Sequence, residues 1–265
     1  MDYTILTYHG VLPESEVAGL SGAQRRYVVS AEEFAAQVAC LKAQQTCVLT
    51  FKQLAAHLSN GATLPEKAVI LTFDDGLENN HRVALPILRE HGLAATFFVV
   101  TGNLGRPGCM SWEQAAEMAA AGMEIGSHGV THANLGEVGA EEARRELLDS
   151  AETIAARLGS PPVALSLPHG GGASLIAGLG PLPYRFVCTS SWGYNDAGSD
   201  PLALKRLPLR HGDPVARFTA FATINKGYIT RCQLGKALIN TSKVLLGRGA
   251  YATVRRLLLG GSRPK

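Results

Sequence analysis

The stretch of sequence that decides the fold is Ala68-Val69-Ile70-Leu71-Thr72-Phe73-Asp74-Asp75-Gly76. Its apolar start predicts a strand buried in a parallel sheet, and the strand ends abruptly at two adjacent carboxylates. Neighbouring carboxylates repel each other unless a cation or a shared proton intervenes. Successive side chains of an extended chain point in opposite directions, so one aspartate could bind a metal while the other handles protons. The alternative is a simple Asp-Gly turn at the end of a strand.

A second polar motif, Ser127-His128-Gly129-Val130-Thr131-His132, follows another short predicted strand further along the chain. Two imidazoles and one carboxylate form a suitable ligand set for a catalytic divalent metal, with positions left open for water and substrate. Such a metal acidifies its water and polarises a carbonyl, and the second carboxylate can then act as a general base. Each motif alone is weak, but their shared position after a strand makes them support each other.

Strands and helices alternate along the chain, which predicts an α/β fold with a parallel sheet. Strands are predicted over residues 4–9, 68–73, 95–100, 124–127, 163–167, 185–189 and 205–210, whereas residues 11–29 are predicted to form a loop. Noticeable polar residues follow five of these strands, and they are His9, Asp74 and Asp75, His128 and His132, His169, and Arg210 with His211. This distribution favours a barrel whose strand ends converge on one site over an open sheet with a single switch point.

Composition limits the class of protein. The 265 residues fit one large domain, and no stretch approaches the ~18 to 20 unbroken apolar residues of a membrane span. The N-terminus shows no basic region followed by a long apolar one, so no secretory signal is expected. The five scattered cysteines contain no CxxC pair and suit reduced thiols. These features predict a cytoplasmic protein.

The charge is distributed unevenly. Residues 226–265 hold nine of the 25 Lys and Arg residues and none of the 22 Asp and Glu residues. We therefore predict a barrel domain over residues 1–225 and a basic helical extension over 226–265. The extension has apolar residues at helical spacing, and it either packs on the barrel or contacts an anionic membrane at its inner face. Membrane contact would suggest a lipid-linked sugar as substrate, and no nucleic-acid partner is expected.

The two motifs, Thr72-Phe73-Asp74-Asp75-Gly76 and Ser127-His128-x3-His132, resemble the first two motifs of the polysaccharide deacetylase family, carbohydrate esterase family 4 with the NodB homology domain. The opening Leu6-Thr7-Tyr8-His9 resembles the start of many members. The resemblance runs from about residue 3 to about residue 213 and implies a distorted, TIM-like (β/α)7 barrel, here followed by extra C-terminal helices. It also implies a metal, usually zinc with cobalt, nickel or manganese as alternatives, that hydrolyses the N-acetyl group of an amino sugar. By motif position, Asp74 would be the general base, and the metal ligands would be Asp75, His128 and His132.

The later family motifs fit less closely. The third motif corresponds to Leu167-Pro168-His169-Gly170, which lacks the arginine that the family usually carries there and has a histidine in the aromatic slot. No arginine is thereby assigned to orient the base. Pro168 is expected to contact substrate, and the backbone N–H of His169 can contribute to an oxyanion hole. Two histidines compete for the role of general acid, His211 after the last strand and His169, and either could instead be an ordinary loop histidine.

Three further residues are predicted to contact substrate. His9 would lie at the barrel mouth, as a substrate contact, a partner of a metal ligand or a structural histidine. Trp192 could stack on a sugar ring or belong to the core. Arg210 follows the last predicted strand and is expected at the same mouth.

The sequence favours a metal-dependent hydrolase that removes acetyl groups from amino sugars of a polysaccharide, oligosaccharide or lipid-linked precursor. One alternative is the same metal site acting on another C–N bond, such as a cyclic imide or ureide. The other is a carbohydrate-binding protein without activity. The complete set of Asp74, Asp75, His128 and His132 favours an enzyme.

Overall fold

A computed structural model of the chain describes residues 2–59, 65, 67–232 and 234. The chain divides into two compact units, Met1–Ile224 and Asn225–Lys265. Of the predicted basic extension, residues 226–232 and 234 are described and are helical, and the rest lies outside the described residues. The predicted domain boundary and membrane contact therefore stay predictions. Among the described residues, no helix combines the length and apolar character needed to cross a membrane.

The first unit is an α/β structure built on parallel strands. In chain order the described strands are β1 Tyr3–Tyr8, β2 Gly10–Leu12, β3 Val28–Ser30, β4 Cys47–Leu49, β5 Ala68–Phe73, β6 Thr96–Val99, β7 Glu124–Ser127, β8 Ala164–Ser166, β9 Phe186–Cys188 and β10 Leu207–Pro208.

Helices follow most of the strands. The described α-helices of this unit are α1 Glu14–Ala18, α2 Ala31–Ala43, α3 Phe51–Ser59, α4 Leu85–Glu90, α5 Trp112–Ala120, α6 Ala140–Leu158, α7 Ala173–Ile176 and α8 Val215–Ala222. Helices α2 and α5 both begin with a complete capping box, at Ser30 with Glu33 and at Ser111 with Gln114. A π-helical turn, Asn80–Ala84, precedes α4, and short 3-10 helices span Gln24–Tyr27 and Pro168–Gly170.

The main sheet curls into a distorted barrel. Its strand order is β10-β1-β5-β6-β7-β8-β9, with every pair parallel. Residues 201–206 close the remaining gap, since Leu204 forms a parallel bridge with Cys188 and Arg206 N–H donates to the Ser191 carbonyl. These are the seven strands predicted from the sequence, so the prediction of a distorted TIM-like barrel is confirmed.

Three short strands were not predicted from the sequence. The prediction of a loop over residues 11–29 is wrong, because β2 and β3 pair there as a small parallel sheet with α1 and a 3-10 helix between them. Strand β4 pairs with the first half of β5 while β6 pairs with the second half, so β4 and β6 share one edge of β5. Each missed strand is three residues long, too short for a period of two to be visible in sequence.

The bottom of the barrel is filled by aromatic rings. Phe51 packs against Phe98 and Phe186, with ring centroids 5.9 and 5.5 Å apart, and all three are buried. Ile5 and Ile70 belong to the same cluster. Because side chains alternate along a strand, the inward face of β5 that carries Ile70 continues through Thr72 to Asp74. This apolar cluster thus lies beneath Asp74, the first of the two aspartates.

Gly126 allows the Phe98 ring to occupy this interior. The two residues are direct partners in the β6–β7 ladder. A Cβ atom at Gly126 would lie 2.6 and 2.7 Å from the Cδ1 and Cε1 atoms of Phe98. A side chain there would therefore displace either the ring or the strand that leads into His128.

We expect Gly126→Ala to lower the free energy of unfolding by about 1–3 kcal/mol, because overpacking forces a buried ring off its position. Thermal and denaturant unfolding would measure the change. Gly22→Ala is the matched control, since a Cβ atom there meets no other atom within 4 Å. Equal stability of the two variants would contradict the proposed packing constraint.

Candidate active site

A cavity of about 490 Å³ opens at the carboxyl ends of the barrel strands. It brings together eight of the ten predicted site residues, namely His9, Asp74, Asp75, His128, His132, His169, Trp192 and Arg210. The two others are placed elsewhere: Pro168 is buried, and neither it nor His211 lines the cavity. The cavity has the size of an ordinary small-molecule site.

Three side chains in the cavity could hold a metal ion. Asp75 Oδ1 lies 3.5 Å from His128 Nε2 and 3.4 Å from His132 Nε2, and the two imidazole nitrogens are 3.2 Å apart. A tetrahedral ion with ligand distances of about 2.0–2.2 Å separates its ligands by about 3.3–3.6 Å. The donor set and its spacing therefore fit a zinc-sized divalent cation, and within the described residues this is the one such His, Cys, Asp or Glu group found.

The tautomer of His128 suits metal binding. Its Nδ1 lies 2.7 Å from the backbone carbonyl of Ser166, which accepts hydrogen bonds only, so Nδ1 carries the proton. Nε2 is then left with its lone pair facing Asp75 and His132. A carbonyl that orients a ligating histidine in this way is a common feature of metal sites.

Backbone conformation brings the ligands together. Asp75 has φ = 77° and His132 has φ = 65°, and His169, next to His132, has φ = 56°. The left-handed region is uncommon for residues with a side chain and costs about 1–3 kcal/mol where it occurs. At Asp75 this turn breaks the alternation of β5, so its carboxylate swings toward the histidines while Asp74 stays on the inward face.

Glu146 of α6 holds the loop between the two histidines. Its Oε2 accepts hydrogen bonds from the backbone N–H groups of Val130 and Thr131 at 2.8 and 2.9 Å. Its Oε1 accepts a third from the Thr131 hydroxyl at 2.8 Å. From the other side, Gly102 N–H donates to the Val130 carbonyl at 2.9 Å. Glu146 is not recognisable from the sequence, because an acidic residue in a long helix resembles an ordinary surface residue.

Asp74 forms a buried ion pair with Arg206. Arg206 Nη1 donates to Asp74 Oδ1 at 2.8 Å, Ser166 Oγ donates to Asp74 Oδ2 at 3.2 Å, and both charged residues are at most 5% exposed. Burial alone would raise the pKa of Asp74, but the charge and hydrogen bond of Arg206 outweigh it and hold the pKa below its ordinary value. Asp74 is therefore a carboxylate at neutral pH.

Arg206 supplies the arginine that the third motif lacks. It lies immediately before β10, its Nε donates to the Thr189 carbonyl at 3.1 Å, and its guanidinium lies 6.0 Å from the centre of the Phe98 ring. The sequence analysis did not single it out. The sequence does contain one signal for it, because the charged Arg206 stands directly before the apolar Leu207 in a predicted strand. Arginine is seldom found in a buried strand.

His211 has a different neighbourhood from the one predicted for a general acid. Its Nδ1 lies 3.0 Å from Glu33 Oε2 and its Nε2 lies 3.9 Å from Glu14 Oε1. The adjacent Gly212 N–H donates to Glu33 Oε1 at 2.8 Å. The side chain is thus bound to the start of α2, outside the cavity.

The other predicted residues line the mouth. The exposed ring of His169 stands edge-on to His132, with centroids 4.5 Å apart. Trp192 is half-buried, with Phe221 at its edge and the Arg217 guanidinium 5.3 Å from its ring centre. Burial lowers the pKa of His9 more strongly than Asp74 and Asp75 raise it, so His9 is neutral at pH 7.

The comparisons with known proteins agree with this geometry. A family model described as polysaccharide deacetylase matches residues 61–180. This segment of the chain is similar to the polysaccharide deacetylase family. The matched residues include the Asp74–Asp75 and His128–His132 motifs, so the resemblance predicted from those motifs is confirmed.

Two curated relatives match parts of the chain. The putative polysaccharide deacetylase YxkH of Bacillus subtilis is 32% identical over 146 residues, which are 55% of this chain and 49% of the relative. The poly-β-1,6-N-acetyl-D-glucosamine N-deacetylase of Staphylococcus aureus is 33% identical over 81 residues, 31% of this chain and 28% of the relative. The chain thus spans about half the length of the first relative and less of the second.

Solved structures match the deacetylase fold over most of the chain. The deacetylase PplD of Streptococcus pyogenes, in complex with acetate, has a TM-score of 0.73 at 25% identity, covering 84% of this chain and 98% of that one. IcaB from Ammonifex degensii has a TM-score of 0.71 at 26% identity, covering 84% and 97%. The shared region therefore includes the whole barrel architecture of these relatives.

We expect His132→Gln to weaken binding of Zn²⁺ or Co²⁺ at least about tenfold, because it removes one of three ligands. Equilibrium dialysis with metal analysis and Co²⁺ visible absorption would measure it. His81→Gln is the control, since His81 pairs with Glu117 outside the cavity. Unchanged Co²⁺ absorption in His132→Gln would show that the metal binds elsewhere.

Proposed function

We propose that this domain is a metal-dependent hydrolase that removes N-acetyl groups from amino sugars of a polysaccharide. The observation that carries the proposal is the pairing of two adjacent aspartates in different environments: Asp75 faces two histidines, and Asp74 is ionised beside Arg206. The family and the relatives that act on N-acetylglucosamine polymers support it.

Asp75, His128 and His132 would hold the divalent ion, with zinc the first candidate. When bound there, the ion would polarise the acetyl carbonyl and lower the pKa of water in the cavity. The Ser166 carbonyl orients His128, and the Glu146 carboxylate orients the loop between the two histidines.

Asp74 would act as the general base. Its Oδ1 is engaged by Arg206 at 2.8 Å, whereas Oδ2 receives the longer hydrogen bond, 3.2 Å, from Ser166. Oδ2 is therefore the oxygen better able to accept a proton from the attacking water. Arg206 keeps Asp74 ionised and holds the carboxylate plane in place, which is the work that the family arginine would do from the third motif.

The leaving amine requires a proton, because an amide nitrogen departs poorly as an anion. Of the two histidines predicted for this role, His169 lines the cavity and His211 is held by Glu33 outside it. We therefore assign the proton donor to His169. The positive φ of His169 fixes its backbone at the rim next to His132.

We expect Asp74→Asn to lower acetate release from N-acetylglucosamine oligomers by about 10²–10⁴-fold, the usual contribution of a general base. Metal content should stay unchanged, because Asp74 is not one of the three ligands. Asp149→Asn, at an exposed position on α6, is the control. Stoichiometric metal without acetate release from the wild type would refute N-deacetylation and favour another C–N bond, such as a cyclic imide.

We expect His169→Gln to reduce kcat about 10²-fold or more on N-acetyl sugars, with a smaller loss on 4-nitrophenyl acetate, whose leaving group needs no proton. His57→Gln, on α3, serves as the control. Steady-state kinetics on both substrates would decide the assignment. A large kcat loss in His211→Gln and none in His169→Gln would reverse it.

A further inference from the structure

The mouth of the cavity has an aromatic side chain that the proposed chemistry does not use. Tyr27 lines the cavity, yet 59% of the residue is exposed. It is the last residue of the 3-10 helix Gln24–Tyr27, in the segment that the sequence analysis predicted to be a loop. Single exposed aromatic residues are common on protein surfaces, so the significance of Tyr27 depends on its position relative to the reacting groups.

Tyr27 lies further from the base than the residues that line the bottom of the cavity. Its ring contacts the ring of His9 edge to face, with centroids 5.2 Å apart and an interplanar angle of 69°. His9 and Asp74 line the same cavity, and Asp74 is only 3% exposed whereas Tyr27 is 59% exposed. When an acetamido group reaches Asp74, the exposed ring of Tyr27 would therefore face the part of the substrate that extends toward solvent.

Tyr27 is held in a fixed position relative to Arg210. The backbone N–H of His211 donates to the carbonyl of Val28 at 2.7 Å, which joins the residue after Arg210 to the residue after Tyr27. Glu33 accepts hydrogen bonds from Ser30 N–H at 2.9 Å and His211 Nδ1 at 3.0 Å. His211, predicted as a catalytic residue, therefore helps to position this side of the mouth.

The chemistry of this side of the mouth suits a sugar ring. An aromatic face packs well against the apolar C–H face of a pyranose, and the exposed guanidinium of Arg210 offers donors to hydroxyl and carbonyl oxygens. The ring of Trp192, in contrast, already has Arg217 at 5.3 Å and Phe221 at its edge. Of these two aromatic residues, Tyr27 has the larger exposed surface to offer a ligand. A rigid platform of this kind loses little entropy on binding.

We propose that Tyr27 is a specificity-determining residue that stacks on the sugar unit next to the one being deacetylated, so that it strengthens the binding of linked sugars and leaves the binding of a free monosaccharide unchanged. This inference rests on the proposed function for the position of the reacting unit. Arg210 donates hydrogen bonds to the polar oxygens of that same neighbouring sugar unit.

The test compares a free sugar with a chain. N-acetylglucosamine and its β-1,6-linked tetramer are titrated into the metal-loaded Asp74→Asn protein by calorimetry, with Tyr27 intact, changed to Ala or changed to Phe. We expect Tyr27→Ala to weaken tetramer binding about threefold to tenfold and leave monosaccharide binding unchanged, while Tyr27→Phe retains tetramer binding. Leu202→Ala, an apolar residue 36% exposed and outside the cavity, is the control.

Kinetics on the wild-type background give the second readout. Tyr27→Ala should raise KM for the tetramer by the same factor while kcat and metal content stay unchanged. Equal losses for monosaccharide and tetramer, or no loss for either, would overturn the proposal. If the wild type releases no acetate but the Asp74→Asn protein still binds the tetramer through Tyr27, the proposed function fails and the binding site stands.

Discussion

The buried ion pair between Asp74 and Arg206 is the interaction on which the site depends. Two charged groups, each at most 5% exposed, are tolerated because each satisfies the other at 2.8 Å. Removing one partner of such a pair costs about 3–5 kcal/mol, since the other is left charged without compensation. Asp74 follows β5 and Arg206 precedes β10, with β1 between these strands in the sheet. The pair therefore links the end of β5 to the segment that closes the barrel, so the environment of Asp74 depends on the closure of the fold.

The two aspartates are adjacent in sequence and different in chemistry because the chain changes direction between them. Asp74 keeps the alternation of β5, which points it to the barrel interior above Phe98 and toward Arg206. Asp75 adopts φ = 77°, and this turn directs its carboxylate to His128 and His132. The two neighbouring carboxylates therefore have different partners: Asp74 faces a guanidinium, and Asp75 faces two imidazoles. The strain at Asp75 is offset by the contacts that it makes possible.

Two glutamates on helices bind the backbone of the loops that form the mouth of the cavity. Glu146 on α6 binds the backbone of the loop between His128 and His132, and Glu33 on α2 binds the loop after β10. Close packing also holds the loop of glycines 170–172 in place, since a Cβ atom at Gly171 would lie 2.0 Å from Asn134 Oδ1. A loop tied by backbone hydrogen bonds presents its side chains with little freedom. The loops around the cavity are thus held in place by side chains of helices α2 and α6.

The sequence by itself determined the barrel strands, the long helices, the adjacent aspartates and the two histidines, because each of these signals is local. A buried strand, a capping box or an HxxxH motif is visible within a few residues, and the strand ends of a barrel meet at one mouth. Tertiary structure alone decided which arginine pairs with Asp74, 132 residues away, and which histidine faces the cavity. It also decided that Glu146 and Glu33 are structural anchors and that Tyr27 reaches the mouth. These outcomes depend on which strands and loops become neighbours, and three-residue strands such as β2 and β3 carry too few side chains to indicate their partners.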